Sequence, residues 1–162
     1  MVEARRRKQA KDAPLEGVRI LVVESGYYKD IADALLAGAR RALDAAKARY
    51  DVVTVPGALE IPQAAVIALD GARGARAYEG VVALGCVIRG ETSHYDIVAG
   101  ESARALIDMS VERRLALGNG ILTTETIAQA EERADPERGD KGGDAARAAI
   151  GLADLARRLV KR

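Results

Sequence analysis

At 162 residues the chain is long enough for one ordinary domain that buries a sizeable core without disulfide or metal staples. Its 25 Lys and Arg against 24 Asp and Glu leave a formal net charge of +1, which predicts neither nucleic-acid binding nor attraction to an anionic membrane. A single cysteine and a single histidine exclude an internal disulfide and a Cys/His zinc site, and no apolar run approaches the ~20 residues of a membrane span.

In chain order, residues 1–13 (MVEARRRKQAKDA) come first, with Arg5, Arg6, Arg7, Lys8 and Lys11 and almost nothing to bury. They read as a basic, disordered tail ahead of one domain over 14–162. They lack the hydrophobic core of a signal peptide, so a reducing cytoplasm is the expected compartment. Residues 19–24 (RILVVE) predict a strand, and the turn after it carries Tyr27 and Tyr28, two of only five aromatics in a chain without Phe or Trp. Paired tyrosines beside a strand end can stack a flat heterocycle or simply pack a helix. Ile31, Leu35, Ala39, Ala42, Leu43 and Ala46 then keep a helical period. A second strand over 52–55 (VVTV) leads into VPGALEIP, where Pro56 and Gly57 fix a tight turn and Pro62 suits the first turn of a helix over 61–69. Glu60 can accept hydrogen bonds at the strand end, or serve only as a charge complementing the helix N-terminus.

The third strand, 80–88 (GVVALGCVI), runs into GCVIRGETSHYD, which holds both the only histidine and the only cysteine. Gly90 permits a close bend, Thr92 or Ser93 can cap the next helix, and a helix start is a ready anion site. His94 would lie in its first turn. Histidine is the side chain whose ordinary titration spans neutrality, so it could carry protons there, or be a plain surface residue. Ile97, Leu106, Ile107, Met109 and Leu115 place a helix over 95–117, followed by a strand over 120–124 (GILTT) and helices over 126–134 and 143–160. Continuous β-branched runs alternating with helices predict an α/β three-layer sandwich, a four-stranded mainly parallel sheet covered on both faces. Ligands in such folds bind beyond the carboxyl ends of strands, which selects the turns at 25–29, 56–62, 89–96 and 123–126.

Five blocks in order, GYYKDIADALLAGARRAL, VPGALEIP, ALGCVIRGETSHYD, GNGILTTETIAQAEERA and DKGGDAA, resemble the 6,7-dimethyl-8-ribityllumazine synthase family, over about 15–158 and without large gaps. The resemblance implies a flavodoxin-like fold. It also implies a condensation of 5-amino-6-(D-ribitylamino)uracil with 3,4-dihydroxy-2-butanone 4-phosphate, with no metal or organic cofactor. Residue by residue, Tyr27 matches the aromatic that stacks on the pyrimidine. Ala58, Leu59 and Glu60 match the segment holding the ribityl chain and pyrimidine, and Cys86, Val87 and Ile88 the strand that pairs with the uracil edge through its main chain. Cys86 itself reads as a small buried residue, because apolar surroundings raise a thiol's pKa.

Glu91 and Thr92 match the phosphate-binding pair, with the Glu91 carboxylate turned away, and His94 matches the catalytic histidine. Arg133 matches an arginine that reaches the phosphate from a neighbouring subunit, where a forked guanidinium suits two oxygens. Lys141 matches a lysine near the same substrate. Asn119 stands where many relatives have an aromatic from the adjacent subunit, and Leu59 where Phe or Trp is common, so weaker stacking is expected. Tyr28, where Asn is frequent, and Gly143 are expected to stay clear of the chemistry. The family builds its site between subunits of a homopentamer, and the short 135–140 loop resembles members whose pentamers close into an icosahedral shell of sixty chains. Riboflavin synthase is a further expected partner. The rival readings are a flavin- or lumazine-binding relative without catalysis and a monomeric phosphate-binding module.

Overall fold

The computed structural model describes residues 14–160, and the predicted basic tail at 1–13 lies outside the described residues. Four strands, β1 (Arg19–Ser25), β2 (Arg49–Val55), β3 (Gly80–Ile88) and β4 (Ala116–Thr124), form one sheet in the order β2-β1-β3-β4. Every pairing in it is parallel, with Val22 opposite Val52, Leu21 opposite Val81 and Val82 opposite Gly118. The helices are α1 (Lys29–Ala45), α2 (Glu60–Gly71), α3 (His94–Arg113), α4 (Ile127–Ala134) and α5 (Lys141–Val160), and a single 3-10 turn at Gly74–Arg76 precedes β3.

Alternation along the strands sorts the core into two sets. Ile20, Val22, Val82 and Leu84 pack with α1, α4 and α5 on one face. Leu21, Val23, Val81 and Ala83 pack with α2 and α3 on the other. The central strands β1 and β3 are therefore buried on both sides, the physical reason their sequences are continuous apolar runs. Leu35, Leu43, Leu84 and Leu106 are fully buried, each worth about 1.5–3 kcal/mol of transfer free energy.

The edge strands depart from their expected bounds. β2 starts at Arg49, three residues before the apolar run, because its exposed half is polar: Asp51 accepts from Arg19 at 2.6 Å and from the Tyr78 hydroxyl at 2.7 Å. β4 starts at Ala116, not at 120, and α3 stops at Arg113, not at 117. Arg114 turns left-handed (φ 52°) and ends the helix, so Leu117, which fits the helical period, instead enters the sheet and packs toward α2 and α3. Gly118 and Gly120 belong to this strand because α5 lies against it. A Cβ at Gly118 would run into the Ala145 carbonyl, and one at Gly120 would stand 2.9 Å from a Leu84 methyl and 3.0 Å from the Ala145 Cβ. Among the described residues no helix is long and apolar enough to cross a membrane.

The strand order reverses between β1 and β3. The chain leaves β1 toward β2 on one side and leaves β3 toward β4 on the other, so the turns after these two strands diverge and open a crevice at their carboxyl ends.

Candidate active site

A hollow of about 400 Å³ occupies this crevice. Cys86, Val87 and Ile88, the last residues of β3, line it together with Tyr27 and Tyr28 from the turn after β1, Gly57 to Glu60 from the turn after β2, and Gly90, Thr92, His94, Tyr95 and Val98 from the turn after β3 and α3. Tyr27 is 71% exposed, a large ring presented to solvent, and its centroid lies 4.9 Å from that of Tyr28 in an edge-to-face pair at 71°. Tyr28 is half-buried against the core beneath α1, and that burial pushes its phenol pKa up. The more buried ring thus braces a neighbour that remains largely open to solvent.

Glu60 opens α2, whose N-cap residue Leu59 offers no side-chain acceptor. The Glu60 carboxylate folds back over Gly57, so close that a Cβ there would stand 2.9 Å from its Oε2 and would push the carboxylate aside. Cys86 is buried, and desolvation, partly offset by Thr124, pushes its thiol up to about 11. It is a protonated wall at neutral pH, in keeping with its expected passive role.

His94 is the first residue of α3 and is solvent-exposed. The helix lacks the side-chain cap expected of Thr92 or Ser93. Ser93 holds the N-cap position without a side-chain bond, and Thr92 Oγ1 accepts from the His94 N–H only at 3.4 Å. The uncapped first turn is therefore suited to an external anion. Glu91 is exposed and does not line the hollow, whereas Thr92 does.

The remaining sequence candidates lie elsewhere on the chain. Asn119 and Lys141 line a second hollow of about 300 Å³ along the free edge of β4, with Gly120, Ile121, Leu122 and Asp144. Asn119 Oδ1 accepts from the Ile121 N–H at 3.0 Å, and Lys141 donates to Asp144 at 2.9 Å. Arg133 is exposed in the last turn of α4, donates to the Gln129 carbonyl at 3.0 Å and lines neither hollow. Among the described residues no Lys or Arg lines the β1–β3 hollow. No group of three or more His, Cys, Asp or Glu among the described residues could hold a metal ion.

Two findings correct or extend the sequence reading. Tyr28, expected to stay clear of the chemistry, lines the hollow beside Tyr27. Tyr95 and Val98 line it as well and were not anticipated, although the helical spacing from His94 already set them along one stripe of α3.

Residues 17–157 match the family model for 6,7-dimethyl-8-ribityllumazine synthase. A 6,7-dimethyl-8-ribityllumazine synthase of Methylobacterium radiotolerans is 66% identical over 146 residues, spanning 90% of this chain and 87% of its own length. One of Methylocella silvestris is 59% identical over 159 residues, 98% of this chain and 97% of its own. A 6,7-dimethyl-8-ribityllumazine synthase 1 of Rhizobium meliloti is 62% identical over 148 residues, 91% of this chain and 97% of its own. With a matching family model over nearly the whole described chain and relatives of this identity, the chain belongs to the 6,7-dimethyl-8-ribityllumazine synthase family.

Proposed function

We propose that the β1–β3 hollow, completed by the β4 edge and α4 of a second copy, is where this chain carries out the reaction of its family. That reaction condenses 5-amino-6-(D-ribitylamino)uracil with 3,4-dihydroxy-2-butanone 4-phosphate, giving 6,7-dimethyl-8-ribityllumazine, phosphate and two waters, the penultimate step of riboflavin biosynthesis. The observation that carries the reading is convergence. Tyr27, Ala58, Leu59, Glu60, Cys86, Val87, Ile88, Thr92 and His94, scattered over three turns in sequence, line one hollow.

Tyr27 stacks on the pyrimidine, and Ala58, Leu59 and Glu60 hold the ribityl chain, with Glu60 accepting from its hydroxyls. The main chain of Cys86, Val87 and Ile88 pairs with the uracil edge. Thr92 and the first turn of α3 hold the phosphate, and Glu91 keeps its charge outside. The uracil amine attacks the ketone and water leaves to give an imine. Phosphate then departs by elimination, and ring closure with loss of the second water completes the product. His94 moves protons in the imine and elimination steps, a contribution of about 10²-fold, while holding two reactants together supplies the larger share.

The counter-charge is drawn from outside the hollow, since among the described residues its lining has no Lys or Arg. Arg133, with Lys141 and Asn119, reaches it from a neighbouring subunit, which supports a homopentamer and, with the short 135–140 loop, a closed shell in the cytoplasm with riboflavin synthase as a partner. Sedimentation mass separates monomer, pentamer and shell, and a monomer active at assay concentration contradicts the shared site. The test of the chemistry is His94→Ala at saturating substrates. We expect turnover to fall about 10²-fold; undiminished turnover removes His94 from the reaction, and tight riboflavin binding without any turnover in the unmodified chain would favour a storage protein instead.

A further inference from the structure

The two helix starts at the carboxyl end of the sheet beyond β3 and β4 are secured very differently. At α4, Thr126 Oγ1 accepts from the Gln129 N–H at 3.2 Å, and the Gln129 side chain accepts in return from the Glu125 N–H at 2.9 Å. The buried Thr124 hydroxyl donates to the Thr126 carbonyl at 3.1 Å. This reciprocal cap fixes Glu125. At α3 no side chain caps the helix, yet its first residue is His94.

Arg89 bridges the two. Its N–H donates to the Thr124 carbonyl at 2.9 Å, carrying the β3–β4 pairing one residue past the strand. Its guanidinium Nε lies 2.9 and 3.1 Å from the two carboxylate oxygens of Glu125, and NH1 lies 3.4 Å from Asp96. The guanidinium carbon sits 4.1 Å from the centroid of the Tyr95 ring. The residues on either side of that clamp are His94, immediately before Tyr95, and Arg133, one turn beyond Gln129 on α4.

We propose that Arg89 is a positioning residue that pins the uncapped start of α3, through Tyr95 and Asp96, to the rigid β4–α4 turn and so fixes where His94 meets the substrate; this rests on the assignment of His94 as the proton carrier. Arg89 is not a phosphate ligand in this arrangement. Its charge is committed to two carboxylates and a ring, and it does not line the hollow. The pairs it makes are exposed, and such pairs add little to global stability, so their loss reads out in kinetics and not in folding. Lysine cannot replace the arginine here, because Arg89 holds Glu125 through Nε and Asp96 through a second nitrogen while its guanidinium carbon sits over Tyr95, and one ammonium cannot occupy those three places at once.

The experiment is a double-mutant cycle on the assembled full chain, with kcat and both KM values measured for Arg89→Gln, His94→Ala and the pair. A misplacement of the proton carrier by a fraction of an ångström should lower kcat about tenfold with each KM within about twofold, and Arg89→Lys should not rescue it. In the His94→Ala background the same substitution should change kcat by less than about twofold, since the group it positions is gone. An equal loss in both backgrounds, a loss confined to KM for the butanone phosphate, or no loss at all overturns the proposal. Should Arg89→Gln fail to assemble, Glu125→Gln opens the same clamp from the other side and should give a smaller loss of kcat that also vanishes without His94; persistence of that loss overturns the proposal equally. If His94→Ala alone keeps full turnover, the assignment of His94 falls, a result distinct from a failed cycle in which His94 matters and Arg89 does not.

Discussion

The hollow over β1 and β3 is lined by three tyrosines, a carboxylate, a hydroxyl and an imidazole, whereas the hollow along the free edge of β4 holds Lys141 and Asn119 and no aromatic ring. The first follows from topology, because diverging turns at a switch in strand order always leave a crevice. The second follows from β4 being an edge strand with glycines under α5, which leaves one side of the strand open. The first hollow offers a histidine and an uncapped helix start but, among the described residues, no Lys or Arg side chain, while Lys141 lines the second hollow and Arg133 lies on α4 outside both. On the proposed reading, stacking and proton transfer belong to the first region and charge neutralisation to the second, a division that a second copy would bridge.

The division can be broken from either side. His94→Ala in the first hollow carries the largest expected effect, the about 10²-fold fall in turnover with folding unchanged, checked by steady-state kinetics. Arg133→Ala on α4 should instead raise KM for the butanone phosphate by about 10- to 100-fold, the loss of a charge-assisted pair, with a smaller change for the uracil. Asn119→Tyr restores a ring on the β4 side and should lower KM for the uracil about two- to tenfold, as one added aromatic contact does. An unchanged KM would mean that Asn119 does not face the pyrimidine.

Cys86→Ala should leave kcat within about twofold, because a protonated buried thiol performs no chemistry. The same thiol makes a pH prediction. Its pKa rises from the ordinary 9.0 to about 11 on folding, so the folded form holds a proton that the unfolded form releases as pH climbs between those values. Stability should therefore fall as pH rises through that window, and Cys86→Ala should flatten this part of the curve in denaturant titrations at pH 8 to 11. A slope that persists without Cys86 assigns it to other groups.

How much of this was legible in the sequence differs between the same two regions. β1 and β3 are central, so their runs announced themselves, and the turns that follow them could be picked as ligand sites before any contact was known. β4 was legible only in its second half. Leu115 and Leu117 continue the period of α3, and only the left-handed turn at Arg114 shows where helix gives way to strand. Gly118 and Gly120 look like strand breakers until α5 is seen resting on them. The tyrosine pair is readable as a possible stacking site, but the sequence does not say that both rings border the hollow, as they do where the backbone is extended at the N-cap Tyr28. Nothing in spacing alone links Asn119, Arg133 or Lys141 to His94, and within one copy they line a different hollow or none; family resemblance is the only route to the proposed link.

The shared site is tested most directly by subunit complementation. Chains carrying His94→Ala and chains carrying Arg133→Ala, each assembled alone and then coassembled in equal amounts, place an intact imidazole against an intact guanidinium at about a quarter of the interfaces if each site spans two copies. The account predicts that the mixed assembly recovers about that fraction of unmodified turnover at subsaturating butanone phosphate, far above either parent. Activity equal to the mean of the two parents would contradict it and place both residues in one chain's site.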